Sequence, residues 1–133
     1  GPGNTAYLGD LLAANIVNRG LAGAVIDGLV RDRASIARSP ATFVARGVTP
    51  VNLRRRDPGR AMVEVRVGGV AVSPGDWLVA DDDGVIAIAP GEAAAAIAAA
   101  LRMARVEKRI RELVLQRVPV PEAVRQALAE AGD

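Results

Sequence analysis

The sequence predicts an α/β or α+β domain with a compact β-rich centre, and three observations carry that expectation. A helical apolar pattern follows Asp10, short apolar or alternating runs punctuated by Gly and Pro fill residues 22–89, and Ala-rich helical sequence closes the chain. No internal repeat interrupts the order of helix, strands and helices.

Residues 1–9 are Gly-rich and lack periodicity, so they read as a loop, or as a start left by tag cleavage at Gly1-Pro2. From Asp10, placed at the N-cap, Leu11, Leu12, Ile16 and Val17 share one helical face, and Gly20 ends the helix. Residues 22–27 form a short apolar run, expected as a buried strand that exits into Gly28 and then Val30-Arg31-Asp32. Residues 32–38 suit a brief helical turn stopped by Pro40, and 42–45 a second strand, followed by a loop through Gly47, Pro50 and Gly59. Residues 62–67 alternate apolar and polar, as a half-buried strand does; Gly68-Gly69 turns the chain, 70–72 resumes it, and 73–76 turns again. Strands at 77–80 and 85–89 flank Asp81-Asp82-Asp83-Gly84, read as a tight turn, because an EF-hand loop needs a longer ladder of ligands and a closing Glu. Pro90 opens a helix reaching about Gln116, with Met103, Val106, Ile110, Leu113 and Val114 at helical spacing. Pro119 and Pro121 break it, and a last helix from Pro121 or Glu122 ends near Gly132. The domain reading is one domain over 1–133, with 1–9 as loop, 10–89 as helix and β-rich core, and 90–133 as C-terminal helices.

Composition narrows the chemistry. The 133 residues suffice for one domain with a core, and they contain neither Cys nor His. That excludes disulfides, thiolate nucleophiles, Ser-His-Asp arrangements and ordinary zinc sites. Carboxylates without His or Cys suit a hard ion such as Mg²⁺ or Mn²⁺. A net charge of +2 and three aromatic residues, Tyr7, Phe43 and Trp77, argue against nucleic acid as a partner. The run Arg54-Arg55-Arg56 reads as a solvated loop. No apolar run is long enough to span a bilayer and no signal-peptide pattern opens the chain, so a cytoplasmic domain is expected.

Two stretches bring polar groups to the ends of buried elements. At Leu8-Gly-Asp-Leu-Leu12, Gly9 and a helix N-terminus offer backbone N–H groups to an anion. At Asp27-Gly-Leu-Val-Arg-Asp32, a strand ends on a cation beside an acid. The planar fork of an Arg grips a carboxylate or enolate oxygen, and an adjacent Asp can hold a divalent ion that polarises the same carbonyl.

Five segments occur in order: Gly9-Asp-Leu-Leu-Ala13, Gly23-Ala-Val-Ile-Asp-Gly-Leu-Val-Arg-Asp32, Ala45-Arg-Gly-Val-Thr-Pro50, Gly68-Gly-Val-Ala-Val-Ser-Pro-Gly-Asp76 and Ala80-Asp-Asp-Asp-Gly-Val85, followed by Pro90. This series resembles the RraA-like family, which includes the regulator of ribonuclease activity A and the 4-hydroxy-4-methyl-2-oxoglutarate aldolases. The resemblance covers residues 4–115. It implies a swivelling β/β/α domain, here without the family's N-terminal segment, which is either trimmed away or supplied by a second chain. It also implies homo-oligomers based on trimers and a metal-dependent lyase acting on a 2-keto acid through a pyruvate enolate, including oxaloacetate decarboxylation. By the same resemblance Asp32 is the direct Mg²⁺ ligand and Arg31 contacts the substrate's keto oxygen and carboxylate. Asp10 approaches the metal through water, Glu107 matches an acid that reaches the neighbouring subunit's metal waters, and Gly9 with the amides of Leu11 and Leu12 cradles the pyruvate carboxylate. Aldolase members commonly carry an acid three positions after the metal Asp, where this chain has Ser35. The alternative implied by the family is a non-catalytic regulator that binds a ribonuclease or another protein.

Overall fold

The computed structural model describes residues 3–53 and 58–132, which fall into two compact units, Gly1–Ala87 and Ile88–Asp133. Gly1-Pro2 and the run Arg54-Arg55-Arg56 lie outside the described residues.

The first unit begins β1 (Ala6–Leu8), α1 (Asp10–Asn18), β2 (Gly23–Val30), α2 (Arg33–Ile36) and β3 (Thr42–Val48). The three strands pair in the order β1-β2-β3, all parallel. Parallel neighbours cannot be joined by a hairpin, so the segments holding α1 and α2 return the chain to the start of the next strand. Leu8, Ala13, Val30 and Ile36 are buried together, with Ile16, Ile26, Phe43 and Ala45 packed against them. Strand, helix and α2 thus share one apolar layer.

Several sequence expectations shift here. The loop expected over 1–9 contains β1, a strand too short to show periodicity. Its partners are distant in sequence: Ala6 aligns with Leu29, and the Ala6 N–H donates to the Val51 carbonyl at 2.7 Å. Asp10 is the first residue of α1 rather than its N-cap, which is Gly9. Gly20 ends α1 as expected, in a left-handed conformation (φ 71°) in which its N–H bonds Val17 O and the Leu21 N–H bonds Ile16 O. These two bonds form a Schellman motif, and the positive φ suits Gly.

β2 and β3 run further than the apolar run implied. The register jumps from Ile26–Ala45 to Leu29–Gly47, so Asp27-Gly28 carries one extra residue and the strand continues through it to Val30. Gly47, expected in a loop, is inside β3.

The strand expected over 62–67 is only β4 (Val65–Val67), since Met62 sits at φ 55°, outside the strand region. β4 pairs antiparallel with β5 (Val70–Val72), and β6 (Trp77–Ala80) pairs with β7 (Val85–Ile88). The acidic turn between them forms as read: Asp81 Oδ1 accepts the N–H groups of Asp83 and Gly84 at 2.9 and 3.2 Å.

The second unit is a helical pair, α3 (Ala93–Leu115) and α4 (Val120–Ala131). Val106, Leu113, Ala123 and Ala127 are its buried residues, and Arg109 binds Glu130 through Nε and Nη2 at 2.7 and 3.0 Å. α3 starts three residues after Pro90, and α4 starts at Val120 with Pro121 in its first turn. The intervening turn is a second Schellman motif, with Arg117 in the left-handed position (φ 68°). Among the described residues no helix is long and apolar enough to cross a membrane.

The hairpin β4–β5 is clipped to the parallel sheet through Asp27, which accepts from Arg46 Nε and from the Gly68 N–H at 3.1 Å. The Arg46 hydrogen bond, then that of Gly68, hold the Asp27 carboxyl below the usual carboxylate range. A folded-state pKa below the unfolded one contributes stability above the unfolded value, about 3.9, that is lost as pH falls through the folded value. Asp27→Asn is therefore expected to lower the thermal midpoint at neutral pH and to flatten its decline in acid. Midpoints measured from pH 7 down to about 3 check this.

Candidate functional site

The three parallel strands end on one side of the sheet, and the residues that follow each strand form the site. Gly9 and Asp10 follow β1, Arg31 and Asp32 follow β2, and Thr49 and Pro50 follow β3. Open parallel sheets place ligands beyond the carboxyl ends of their strands for this reason. Backbone bonds hold the ends in step: the Arg31 N–H donates to Leu8 O and the Thr49 N–H to Val30 O, both at 2.9 Å. The Thr49 hydroxyl donates to Asn4 O at 3.0 Å and ties the same end to the segment before β1.

Asp32 occupies the left-handed region (φ 58°, ψ 35°) at the N-cap of α2. For a residue other than Gly this costs about 1 kcal/mol or more, although Asp tolerates it better than most. Two hydrogen bonds to its carbonyl, from Ser35 N–H at 2.9 Å and Ile36 N–H at 3.1 Å, hold the backbone there. Its Oδ2 lies 3.5 Å from Arg31 Nε and accepts the Asp10 N–H at 3.3 Å. Oδ1 accepts no hydrogen bond from a described residue. Side chains of both Arg31 and Asp32 are about one-third exposed.

At the start of α1, the helical ladder begins with Ala13 N–H to Gly9 O, so the amides of Asp10, Leu11 and Leu12 precede it. The Asp10 amide points to Asp32, and Leu11 N–H donates to Asp10 Oδ1 at 2.7 Å. A ligand carboxylate in the expected cradle would share Leu11 N–H with Asp10 and take Leu12 N–H. Arg31 lines two adjoining cavities, one of about 330 Å³ with Asp32, Val48, Thr49 and Pro50, the other of about 230 Å³ with Gly9, Leu11, Leu12 and Asn52.

Gly9, Asp10, Leu11, Leu12, Arg31 and Asp32 thus come together within the first unit. Glu107 lies exposed on α3, in the second unit. Sequence reasoning missed Thr49, Pro50 and Asn52, although Thr49-Pro50 closes one of the quoted segments. The signal was available: a third parallel strand must end beside the first two.

The donor set suits a hard divalent ion. It offers the Asp32 carboxylate beside Arg31, in a chain with no imidazole or thiolate. Among the described residues no group of three His, Cys, Asp or Glu could enclose a metal. An ion that keeps most of its water and takes one or two carboxylates matches this better than one needing a full protein cage.

Gly9 is fixed by contact rather than by backbone angle. A Cβ there would stand 2.7 Å from Arg31 Nε and 2.8 Å from Asp32 Oδ2. Those atoms belong to partly exposed side chains and not to the backbone, so Gly9→Ala is expected to fold with a near wild-type melting temperature. It should still displace both groups and cost roughly 100-fold in any turnover they support. Equal turnover would show that the contact does not position them.

The family described as RraA-like, Aldolase/RraA, matches residues 1–87, the extent of the first unit. A protein of Alcanivorax borkumensis, provisionally named a 4-hydroxy-4-methyl-2-oxoglutarate aldolase, is 36% identical over 61% of this chain and 51% of its own length. The chain spans about half the length of the curated relatives it matches. The RNA-processing inhibitor RraA from Thermus thermophilis superposes with a TM-score of 0.59 at 37% identity, over 63% of this chain and 51% of that one. Streptomyces coelicolor RraAS2, described as an unusual member of the RNase ES inhibitor RraA family, superposes at 0.72 with 32% identity, over 81% and 56%. The parallel sheet with its Arg31-Asp32 strand end and the match over two-thirds of the sequence place the chain in the RraA-like family.

Proposed function

We propose that the chain carries the substrate site of a divalent-metal-dependent lyase that cleaves a C–C bond of a 2-keto acid. The observation behind this is the adjacency of Arg31 and Asp32 at the end of β2, with the Asp10 amide at the start of α1 bonded to the Asp32 carboxylate. Mg²⁺ or Mn²⁺ would be held directly by Asp32, with Asp10 acting through water and Glu107 directed to the metal waters of a neighbouring subunit, and would supply Lewis-acid withdrawal of electrons from the keto group.

The chain's own groups bind and orient. The Leu12 and Leu11 N–H groups at the helix N-terminus receive the substrate carboxylate, and the Arg31 fork faces the keto oxygen, where negative charge develops. In retro-aldol cleavage the C3–C4 bond breaks, its electron pair passes to the pyruvate half as an enolate, and C4 becomes a carbonyl as its hydroxyl loses a proton. Protonation of the enolate at C3 completes pyruvate. In oxaloacetate decarboxylation the same bond breaks with loss of CO₂, and no hydroxyl proton is involved. The common demand is stabilisation of the enolate oxygen, which donors preorganised in place meet best. Without His, the hydroxyl proton of the aldol passes to a water held by the acids.

Exposed apolar side chains of the first unit, Leu11, Trp77 and Ile86, support assembly as a homo-oligomer, trimer-based by family resemblance, or with a second chain. The structural neighbours described as RNA-processing and RNase ES inhibitors favour a second reading, a regulator that binds a ribonuclease.

Metal-dependent pyruvate release from oxaloacetate separates the two. Asp32→Asn is expected to abolish it with the fold intact. Arg31→Lys keeps the charge but loses the fork and should cost roughly 2–4 kcal/mol of transition-state stabilisation, about 30- to 1,000-fold in rate. Asp10→Asn should be mildest. Undiminished turnover in Asp32→Asn would remove the site assignment, and an inert wild type with a ribonuclease inhibited would favour the regulator.

A further inference from the structure

The helical pair holds a cavity of its own, of about 320 Å³, lined by Arg102, Arg105 and Arg109 of α3, by Glu130 of α4, and by Val106 and Ala127. It lies outside residues 1–87, the stretch the RraA-like family matches, and shares no lining residue with the Arg31–Asp32 site. Positions three and four apart share one face of a helix, which puts the three guanidiniums on the same side of α3. They are not alike. Arg109 is committed within the pair: it forks onto Glu130 at 2.7 and 3.0 Å and lies 3.6 Å from Glu112. The same fork holds the Glu130 carboxyl below its usual range, so Glu130 is ionised at neutral pH.

Arg102 and Arg105 have no such partner. Among the described residues neither makes an ion pair, and no acid stands three or four positions from either along α3. Like charges at that spacing repel, and without an acid beside them both forks are left to an outside anion. The cavity carries three guanidiniums against one carboxylate, a net charge of +2, which one dianion neutralises. A carboxylate is satisfied by a single Arg fork, whereas the three terminal oxygens of a phosphate monoester accept from two forks at once. The floor is apolar, with Val106 4% exposed and Ala127 2%, and the volume exceeds what a phosphate alone would fill. It falls at the small end of cavities that take organic ligands.

We propose that Arg102 and Arg105 form a binding site for a phosphate monoester, with the phosphate across the two forks and the carbon end on Val106 and Ala127. The Arg109–Glu130 fork holds α4 against α3 and so keeps the apolar floor opposite the two unpaired cations. The site stands independently of the lyase reading, because none of its residues takes part in that chemistry.

Calorimetry in metal-free buffer at about pH 8, where a phosphate monoester carries two charges, tests this with phenyl phosphate, inorganic phosphate and succinate. Wild type is expected to bind phenyl phosphate saturably, about 3- to 10-fold more tightly than inorganic phosphate because the ring covers the apolar floor, and more tightly than succinate. Arg102→Gln and Arg105→Gln should each weaken it about 5- to 10-fold, the scale of a partly exposed charge-assisted contact, and the double variant should abolish it. Arg111→Gln, at an exposed cation of α3 outside the cavity, and Arg31→Gln should leave it unchanged. Phenyl phosphate should raise the melting temperature of wild type and not of the double variant. Without ligand the two should melt alike, since Arg102 and Arg105 are exposed. No binding to wild type, or equal weakening in Arg111→Gln and Arg105→Gln, overturns the proposal. Loss of binding in Arg31→Gln with Arg102→Gln unaffected puts the phosphate at the other site and overturns it too. Succinate binding as tightly as phenyl phosphate overturns the phosphate assignment, and inorganic phosphate binding as tightly overturns the ester.

Discussion

The Arg31 amide donates to the Leu8 carbonyl at 2.9 Å, and this bond fixes where β1 and β2 stop relative to each other. With the matching bond from Thr49 to Val30, it brings three chain reversals to one edge of the sheet. Each such bond contributes only about 1 kcal/mol net. Burial of a residue such as Leu8 or Val30, both under a tenth exposed, contributes about 1.5–3 kcal/mol and is the larger effect. The apolar layer therefore holds the strands in place, and the hydrogen bonds set their register.

Polar contacts at the site organise more than they stabilise. The Arg31–Asp32 pair is partly exposed, and such pairs are worth about 0–1 kcal/mol. The left-handed backbone of Asp32 costs a comparable amount, offset by the two amides of α2 that bond its carbonyl. Little net stability rides on these residues, so they are free to serve a ligand. The Asp10 amide, which precedes the helix ladder, donates to Asp32 and so couples the helix N-terminus to the carboxylate.

Elsewhere, buried cores are small and ionic clips are correspondingly prominent. Asp27 joins β2 to Arg46 on β3 and to the turn of the β4–β5 hairpin. In the second unit the Arg109–Glu130 pair spans α3 and α4 in a two-bond fork, holding the Glu130 carboxyl below its usual range. Both depend on an ionised carboxylate, so both weaken in acid.

Much was legible in the sequence because it is local. Gly20 ends α1 since a left-handed C′ residue favours Gly, Asp81 builds its own turn, and Pro119 stands at the N-cap of α4 with Pro121 in its first turn. The adjacency of Arg31 and Asp32 is covalent, and their family resemblance could be read from five ordered segments. Tertiary structure alone decided that residues 6–8 are a strand, that the N-cap of α1 is Gly9, and that Gly9 lies so close to Arg31 and Asp32 that a Cβ there would displace their side chains. It also brought Thr49 beside Asp32. Helical and strand periodicities report on neighbours two to four residues apart. Parallel pairing instead joins residues some twenty apart, through backbone groups that every residue carries, and leaves no mark on side-chain pattern.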